Sequence, residues 1–306
     1  MKRSLIILAL ATAVVGVGGT VPSHAAVPGK NGLIAFQVEG PDGNRIWTVR
    51  PNGSDLRLVT TGTADAQAPD WSPDGQWIVF TKNGCKIALI HPDGTGLHRI
   101  DPAPGGCESD ATFTPDGQHL IFERYEPAAH DDAIWIMDLD GSNRRRIGNG
   151  GNGEAHTPEI SPDGQTVSFL SFPPHQLSAI FGIDIDGGEA WQITPVLYGM
   201  TFKHDWAPDG SRLVMSDNAG EGPVRTSNVL TIRPDGTGIH YLTDYRTPDQ
   251  KALAGSYSPD GKWVVYRHES GDLSELVFVR ADGQGGPHVV LPLSGFRPRF
   301  IDWGPA

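Results

Sequence analysis

The chain has 306 residues and a formal charge of −12, a balance that repels phosphate backbones and excludes nucleic acid as an expected partner. Its 39 Gly and 25 Pro, with only 8% aromatic residues, suit many turns and short strands, and its length suits one large or two ordinary domains.

At the start, Lys2 and Arg3 precede an apolar run from Leu5 to Val17, and Ser23-His24-Ala25 places small residues at both positions of an A-x-A-like cleavage site. Residues 1–25 are therefore read as a secretory signal peptide. The run is shorter than the roughly 20 apolar residues a bilayer span needs, and no later stretch is longer. Export of a soluble chain without a membrane span is expected, to the periplasm or outside the cell. Loss of Lys2 and Arg3 takes the formal charge from −12 to −14. In an oxidising compartment Cys85 and Cys107 are expected to form a disulfide. Closing a loop of about 20 residues is worth roughly 3 kcal/mol.

From residue 26 onwards one pattern recurs. WSPDGQWIVF (71–80), FTPDGQHLIF (113–122), ISPDGQTVSF (160–169), WAPDGSRLVM (206–215) and YSPDGKWVVY (257–266) each set a leading apolar residue before a stiff turn and an apolar run. The leading residue advances by 42, 47, 46 and 51 positions, a period that marks a modular array. A second pattern appears six times: IWTVRPNG (46–53), IALIHPDG (87–94), IWIMDLDG (134–141), IFGIDIDG (180–187), VLTIRPDG (229–236) and LVFVRADG (276–283). Pro presets φ in the first turn, and Gly takes the positive φ that completes the reversal. Each repeat reads as four short strands, and the nearly all-apolar second strand requires cover on both faces. Small sheets arranged radially around an axis meet that requirement, which is the β-propeller. The closing FIDWGPA (300–306) reads as an inner strand whose missing remainder is VPGKNGLIAF (27–36). The last strand is thus expected to complete the first sheet, closing an all-β propeller of six four-stranded antiparallel blades over residues 26–306.

These Trp/Tyr-Ser-Pro-Asp-Gly copies and their Ile-x-x-Val/Ile-x-x-Asp-Gly partners resemble the TolB-type propeller, a relative of the WD-type repeats, over essentially the whole mature chain. The resemblance implies the fold; it does not choose a function. Nothing ahead of the first blade corresponds to the N-terminal α/β domain of TolB itself, so a Tol-Pal role is not expected. Similar blades occur in prolyl-oligopeptidase-like peptidases, whose hydrolase domain carries a G-x-S-x-G elbow that has no counterpart here. They also occur in oligogalacturonate lyases, which bind a metal through propeller histidines.

Three features bear on function. The residue before each leading position is Asp70, Thr112, Glu159, Asp205, Ser256 and Asp302 around the ring. If Asp70, Glu159, Asp205 and Asp302 lean into the channel they focus negative potential and favour a cation; if they bond to neighbouring blades they are structural. The loops entering the inner strands and those joining second to third strands share one face, and function collects on long loops held by a rigid scaffold. On or beside those loops lie His130, His156, His175, His204 and His268, with Arg124, Tyr125, Tyr198, Tyr245 and Arg267. No metal-ligand spacing within one element is present; no cofactor is expected, and a divalent cation, in the channel or on this face, is the one the residues leave open. The repeated Asp-Gly turns lack the remaining ligands of a calcium loop and read as turn chemistry.

The expectation is a monomeric, exported propeller without catalysis of its own that binds a protein or glycan through Arg124, Tyr125, His156, Tyr198, His204, Tyr245 and His268. Two alternatives stay open. One is a metal-dependent oligouronide lyase or hydrolase using the loop-face histidines, with Arg124 or Arg267 holding a carboxylate. The other is a stand-alone peptide-recognising propeller related to the peptidases.

Overall fold

The computed structural model describes residues 29–62, 65–149, 154–195, 199–217, 226–247, 249–292 and 297–306. The expected leader, residues 1–25, lies outside the described residues, as does Tyr198. Every sheet is a four-stranded antiparallel blade, and there are six. Blade 1 combines Pro298–Pro305 with Asn31–Gly40, Gly43–Val49 and Arg57–Leu58. The inner strands of blades 2 to 6 are Ala66–Trp71, Cys107–Phe113, His156–Ile160, Met200–Trp206 and Gln250–Tyr257. Among the described residues no helix is long and apolar enough to cross a membrane.

The closure is as the sequence implies: Trp303 pairs with Ile34 across the seam of blade 1. Second strands are buried on both faces, as in Ile78–Lys82 and Leu213–Asp217, where every residue is buried. Six apolar clusters result, one at each blade–blade interface; that of blades 6 and 1 contains Phe36, Val265, Leu276 and Trp303. Several outer strands are very short, only two residues at His98–Arg99 and His240–Tyr241. Short edges with exposed polar side chains resist pairing with another chain.

The repeated turns explain their own sequence. In blade 2 the Ser72 hydroxyl donates to Asp74 Oδ1 at 2.6 Å, and the same carboxylate oxygen accepts from Gln76 N at 3.0 Å. Thr114 with Asp116, Ser161 with Asp163 and Ser258 with Asp260 repeat the arrangement. Gly75 has φ of 67°, a left-handed conformation that Gly adopts without strain. A Cβ there would lie 3.1 Å from Pro305 O, while the equivalent Gly117, Gly164, Gly210 and Gly261 sit against Pro73, Pro115, Pro162 and Pro208. Pro305 therefore occupies the place of a turn proline in the closing blade.

The expected disulfide is present. Cys85 and Cys107 are joined with Cα atoms 4.6 Å apart, linking the blade 2 hairpin to the start of the blade 3 inner strand.

Candidate functional site

Each inner strand carries a register irregularity against its neighbour. In four blades the residue three before the leading position has a positive φ: Ala68 at 48°, Asp110, Thr157 and Phe300 at 46°. Left-handed φ is unfavourable for side chains with a Cβ and most of all for β-branched Thr. Its recurrence at one position marks a bulge built into the blade. The bulge turns these side chains toward the axis, where Ala68, Asp110, Thr157, Lys203 and Phe300 line the channel.

Two residues further along stands the acidic ring. Asp302 Oδ2 accepts from Trp71 N at 2.9 Å, Asp70 Oδ2 from Phe113 N at 3.2 Å, and Asp205 Oδ2 from Tyr257 N at 2.8 Å. Ser256 Oγ does the same for Trp303 N at 3.1 Å. Each bond runs from one blade to the leading residue of the next, so these side chains latch the ring together. The channel also contains its own cation: Lys203 Nζ lies 2.5 Å from Glu159 Oε1. Burial opposes charge on Lys203, but Glu159, Asp302, Asp205 and Asp70 outweigh it and hold the ammonium above its usual range. Burial, then repulsion from Glu159, pushes Asp205 up to about 8. Burial, then Asp302, raises Asp70. Burial also raises Glu159, with Lys203 opposing it. The ring is a hydrogen-bonded collar around a lysine, with the carboxyls of Asp70, Glu159 and Asp205 raised.

Toward the loop face, blades 3 and 4 place Glu123, Asp132 and His156 together, each offering one ligand atom with all three atoms within 4.8 Å of one another. His156 Nδ1 is 3.1 Å from Glu123 Oε1, and Phe172 packs edge-on against the imidazole at 5.7 Å between centroids. Burial works against the imidazolium, but the hydrogen bond and charge of Glu123 prevail and raise His156 above its usual value. Burial and then Glu123 raise Asp132 and push Asp110 up to about 7. One imidazole and two carboxylates form a donor set suited to manganese, iron or zinc. These are the described residues able to hold a metal.

Across the mouth, blades 5, 6 and 1 enclose a mostly apolar cavity that includes Phe202, Leu253, Arg267 and Phe300. Phe202 is 51% exposed and Phe172 38%, and their rings lie 6.1 Å apart. Two large exposed phenyl rings beside a channel opening form an apolar patch that water covers poorly.

The residues expected on the loop face separate into groups. His156 lies at the mouth. His204 does not: it is completely buried, its Nε2 2.9 Å from Ser168 Oγ, and burial with Lys203 nearby pushes it down to about 3. A neutral imidazole inside the blade 4–5 interface has no access to a partner. Arg124 is likewise committed. It is 5% exposed, pairs with Glu108 at 2.8 Å and Glu126 at 3.0 Å, and donates to Ala103 O and Pro104 O. Tyr125 is half-buried, opposite Cys107. Tyr245 stacks on His268 at 4.7 Å and its hydroxyl is 3.2 Å from that of Tyr266, while His268 Nδ1 meets Glu275 Oε2 at 3.2 Å. This group fills the seam between blades 5 and 6. Lys203, Asp110, Glu123, Asp132, Phe172 and Phe202 were not singled out in the sequence. Their one signal was the column three residues before each leading position, which supplies Asp110 and Lys203.

Comparison with known proteins agrees with this architecture. The family model described as the TolB beta propeller domain matches residues 94–306. A relative described as uncharacterized protein Atu1656, from Agrobacterium fabrum, is 31% identical over 76% of this chain and 72% of its own. An uncharacterized peptidase, YuxL of Bacillus subtilis, is 26% identical over 60% of this chain but only 31% of its own length, so the match spans about a third of that relative. TolB from Acinetobacter baumannii superposes with a TM-score of 0.73 at 19% identity, over 90% of this chain and 67% of TolB. An oligogalacturonate lyase in complex with manganese superposes at 0.58 and 16% identity, over 82% of this chain and 71% of the lyase. The chain belongs to the TolB-type β-propeller family.

Proposed function

We propose that this propeller is a binding protein without catalysis of its own, which recognises a protein or glycan partner at the loop-face mouth of its channel. The observation that carries the reading is the exposed Phe172–Phe202 pair beside a cavity floored by Phe300. Exposed aromatic anchors next to a concavity are what partner-binding hot spots are made of. Trp191 and Tyr241 are comparably exposed on outer strands, so it is the place of this pair beside the channel mouth that supports the reading. The leader-like residues 1–25 and the Cys85–Cys107 bridge support export to an oxidising compartment, where the chain acts as a monomer. The test is capture of extracellular or periplasmic proteins and binding to a glycan array, with wild type beside a Phe172→Ala/Phe202→Ala variant. Loss of the captured set in the variant is expected; identical sets would remove the reading.

A second reading is favoured by the Glu123–Asp132–His156 cluster: a divalent cation bound there, serving partner recognition or the elimination chemistry of a polysaccharide lyase. Such a lyase needs a base beside a cation that stabilises the enolate. Titration with Mn2+ and Zn2+ is expected to show one site per chain that His156→Ala abolishes. Incubation of the metal-loaded protein with oligogalacturonides, followed by absorbance of the unsaturated product, separates the two uses of the cation.

A further inference from the structure

The cavity at the junction of blades 5, 6 and 1 is walled by a buried arginine whose donors are met only in part. Its volume is about 240 Å³, smaller than the pockets that enclose drug-sized ligands. The lining is apolar at Phe202, Leu253, Phe300 and Ile301. One wall is Arg267, which is only 9% exposed. Its Nη1 donates to Pro298 O at 2.9 Å. Its Nε is 3.3 Å from Glu269 Oε1 yet out of alignment for a hydrogen bond, and Nη2 donates to no described residue. A guanidinium has five N–H donors in a rigid fork. The Nε of Arg267 is buried with no hydrogen-bond acceptor, and a donor so placed is unfavourable unless an acceptor arrives nearby.

The other cations lining the cavity have partners: Lys203 binds Glu159, and Arg299 lies 3.6 Å from Glu39. Burial pulls Arg267 down to about 10 against the opposing charge of Glu269, with Arg299 and Arg297 adding to the lowering, so it is still charged at any physiological pH. Arg267 is paired with Glu269 as well, but among the described lining cations it is the buried guanidinium with donors left over beside the apolar side chains.

We propose that this cavity binds the C-terminal carboxylate of a peptide chain whose last side chain is apolar. A carboxylate matches the fork of Arg267 in a bidentate pair, and the terminal side chain fills the space between Phe202, Leu253 and Ile301. A uronate would carry its carboxylate on a ring of hydroxyls, for which this lining offers few polar partners. The preceding peptide residues leave past the Phe172–Phe202 pair. The proposal rests on the channel mouth being the partner-binding face and names the chemistry that face selects.

The test is titration of the full chain with N-acetylated tetrapeptides ending in Leu or Phe, each as free acid and as C-terminal amide, with digalacturonate in parallel. The acids are expected to bind about tenfold or more tightly than the amides, in keeping with a charge-assisted pair. Arg267→Gln should bring the acids to the level of the amides. If that variant fails to fold, the acid–amide difference on the wild type still decides. Equal binding of acid and amide, both weakened by Phe202→Ala, overturns the carboxylate proposal and leaves the binding face standing. Equal binding that is insensitive to Phe202→Ala overturns both. Tighter binding of digalacturonate than of any peptide acid, or no binding of any peptide, also overturns the proposal.

Discussion

Each inner strand offers the channel two residues, one and three positions before its leading residue, and the two rings are used differently. The first ring is the more regular: at four of its six positions, Asp302, Asp70, Asp205 and Ser256, the side chain accepts from the backbone N–H of the next blade. The second ring holds Ala68, Asp110, Thr157, Lys203, Ala254 and Phe300, six positions with no common chemistry. Regularity around a closed ring is the mark of a part every blade needs for assembly. Irregularity at an equally placed position is the mark of a surface free to be shaped for one partner. Lys203 is the exception, since it belongs to the second ring but neutralises the first.

That exception gives the largest expected effect. Lys203→Met leaves Glu159 buried without its cation, and breaking a buried pair destabilises by about 3–5 kcal/mol. The deficit should grow with pH. Raised carboxyl pKa values give stability that is full below the unfolded pKa and is lost as pH rises through the folded one. Removing the lysine raises those values further, so urea denaturation at pH 8 should show a larger loss than at pH 5. An equal loss at both would mean the collar does not titrate.

Asp302→Ala comes next. It removes the latch on Trp71 N at the closing seam, and leaving a buried donor unsatisfied costs about 1–3 kcal/mol. Denaturation should register that loss while partner capture by the folded fraction is unchanged. A loss of capture with full stability would place the first ring in recognition.

Asp205→Asn tests the titration itself. With Asp205 pushed up to about 8, the wild type should lose stability as pH rises from about 4 to 8. The variant, which cannot ionise, should show a flatter profile over that window, read from melting temperatures across pH. Phe300→Gly should have the smallest effect on stability, within about 1 kcal/mol, because relief of a left-handed phenylalanine offsets lost packing. Peptide binding at the mouth should nevertheless fall. A large destabilisation without a change in binding would return Phe300 to the scaffold.

The first ring was legible in the sequence because the Ser-Pro-Asp-Gly turn fixes its address: one residue before the leading position, in every copy. Its role was not, since an acidic side chain near an axis can point at a ligand or at a neighbour's amide. The histidines show the same limit. His156 and His204 both sit on inner strands near loops, yet the first faces the mouth beside Glu123 and the second is enclosed with Ser168. Strand side chains alternate, so small differences in bulge position decide which side of the sheet a residue faces. Arg124 looked available for a ligand, but the loop pinned by Cys107 brings Ala103 O, Pro104 O and Glu108 around it.

By itself, the sequence determined the number of blades, the closing seam and the turn chemistry, because these follow from local φ preferences and apolar runs repeated 42 to 51 residues apart. The tertiary structure alone decided what meets at the mouth. Arg267 and Phe202, or Glu123 and His156, come from different blades, and only ring closure with a bulge in each inner strand sets their side chains face to face.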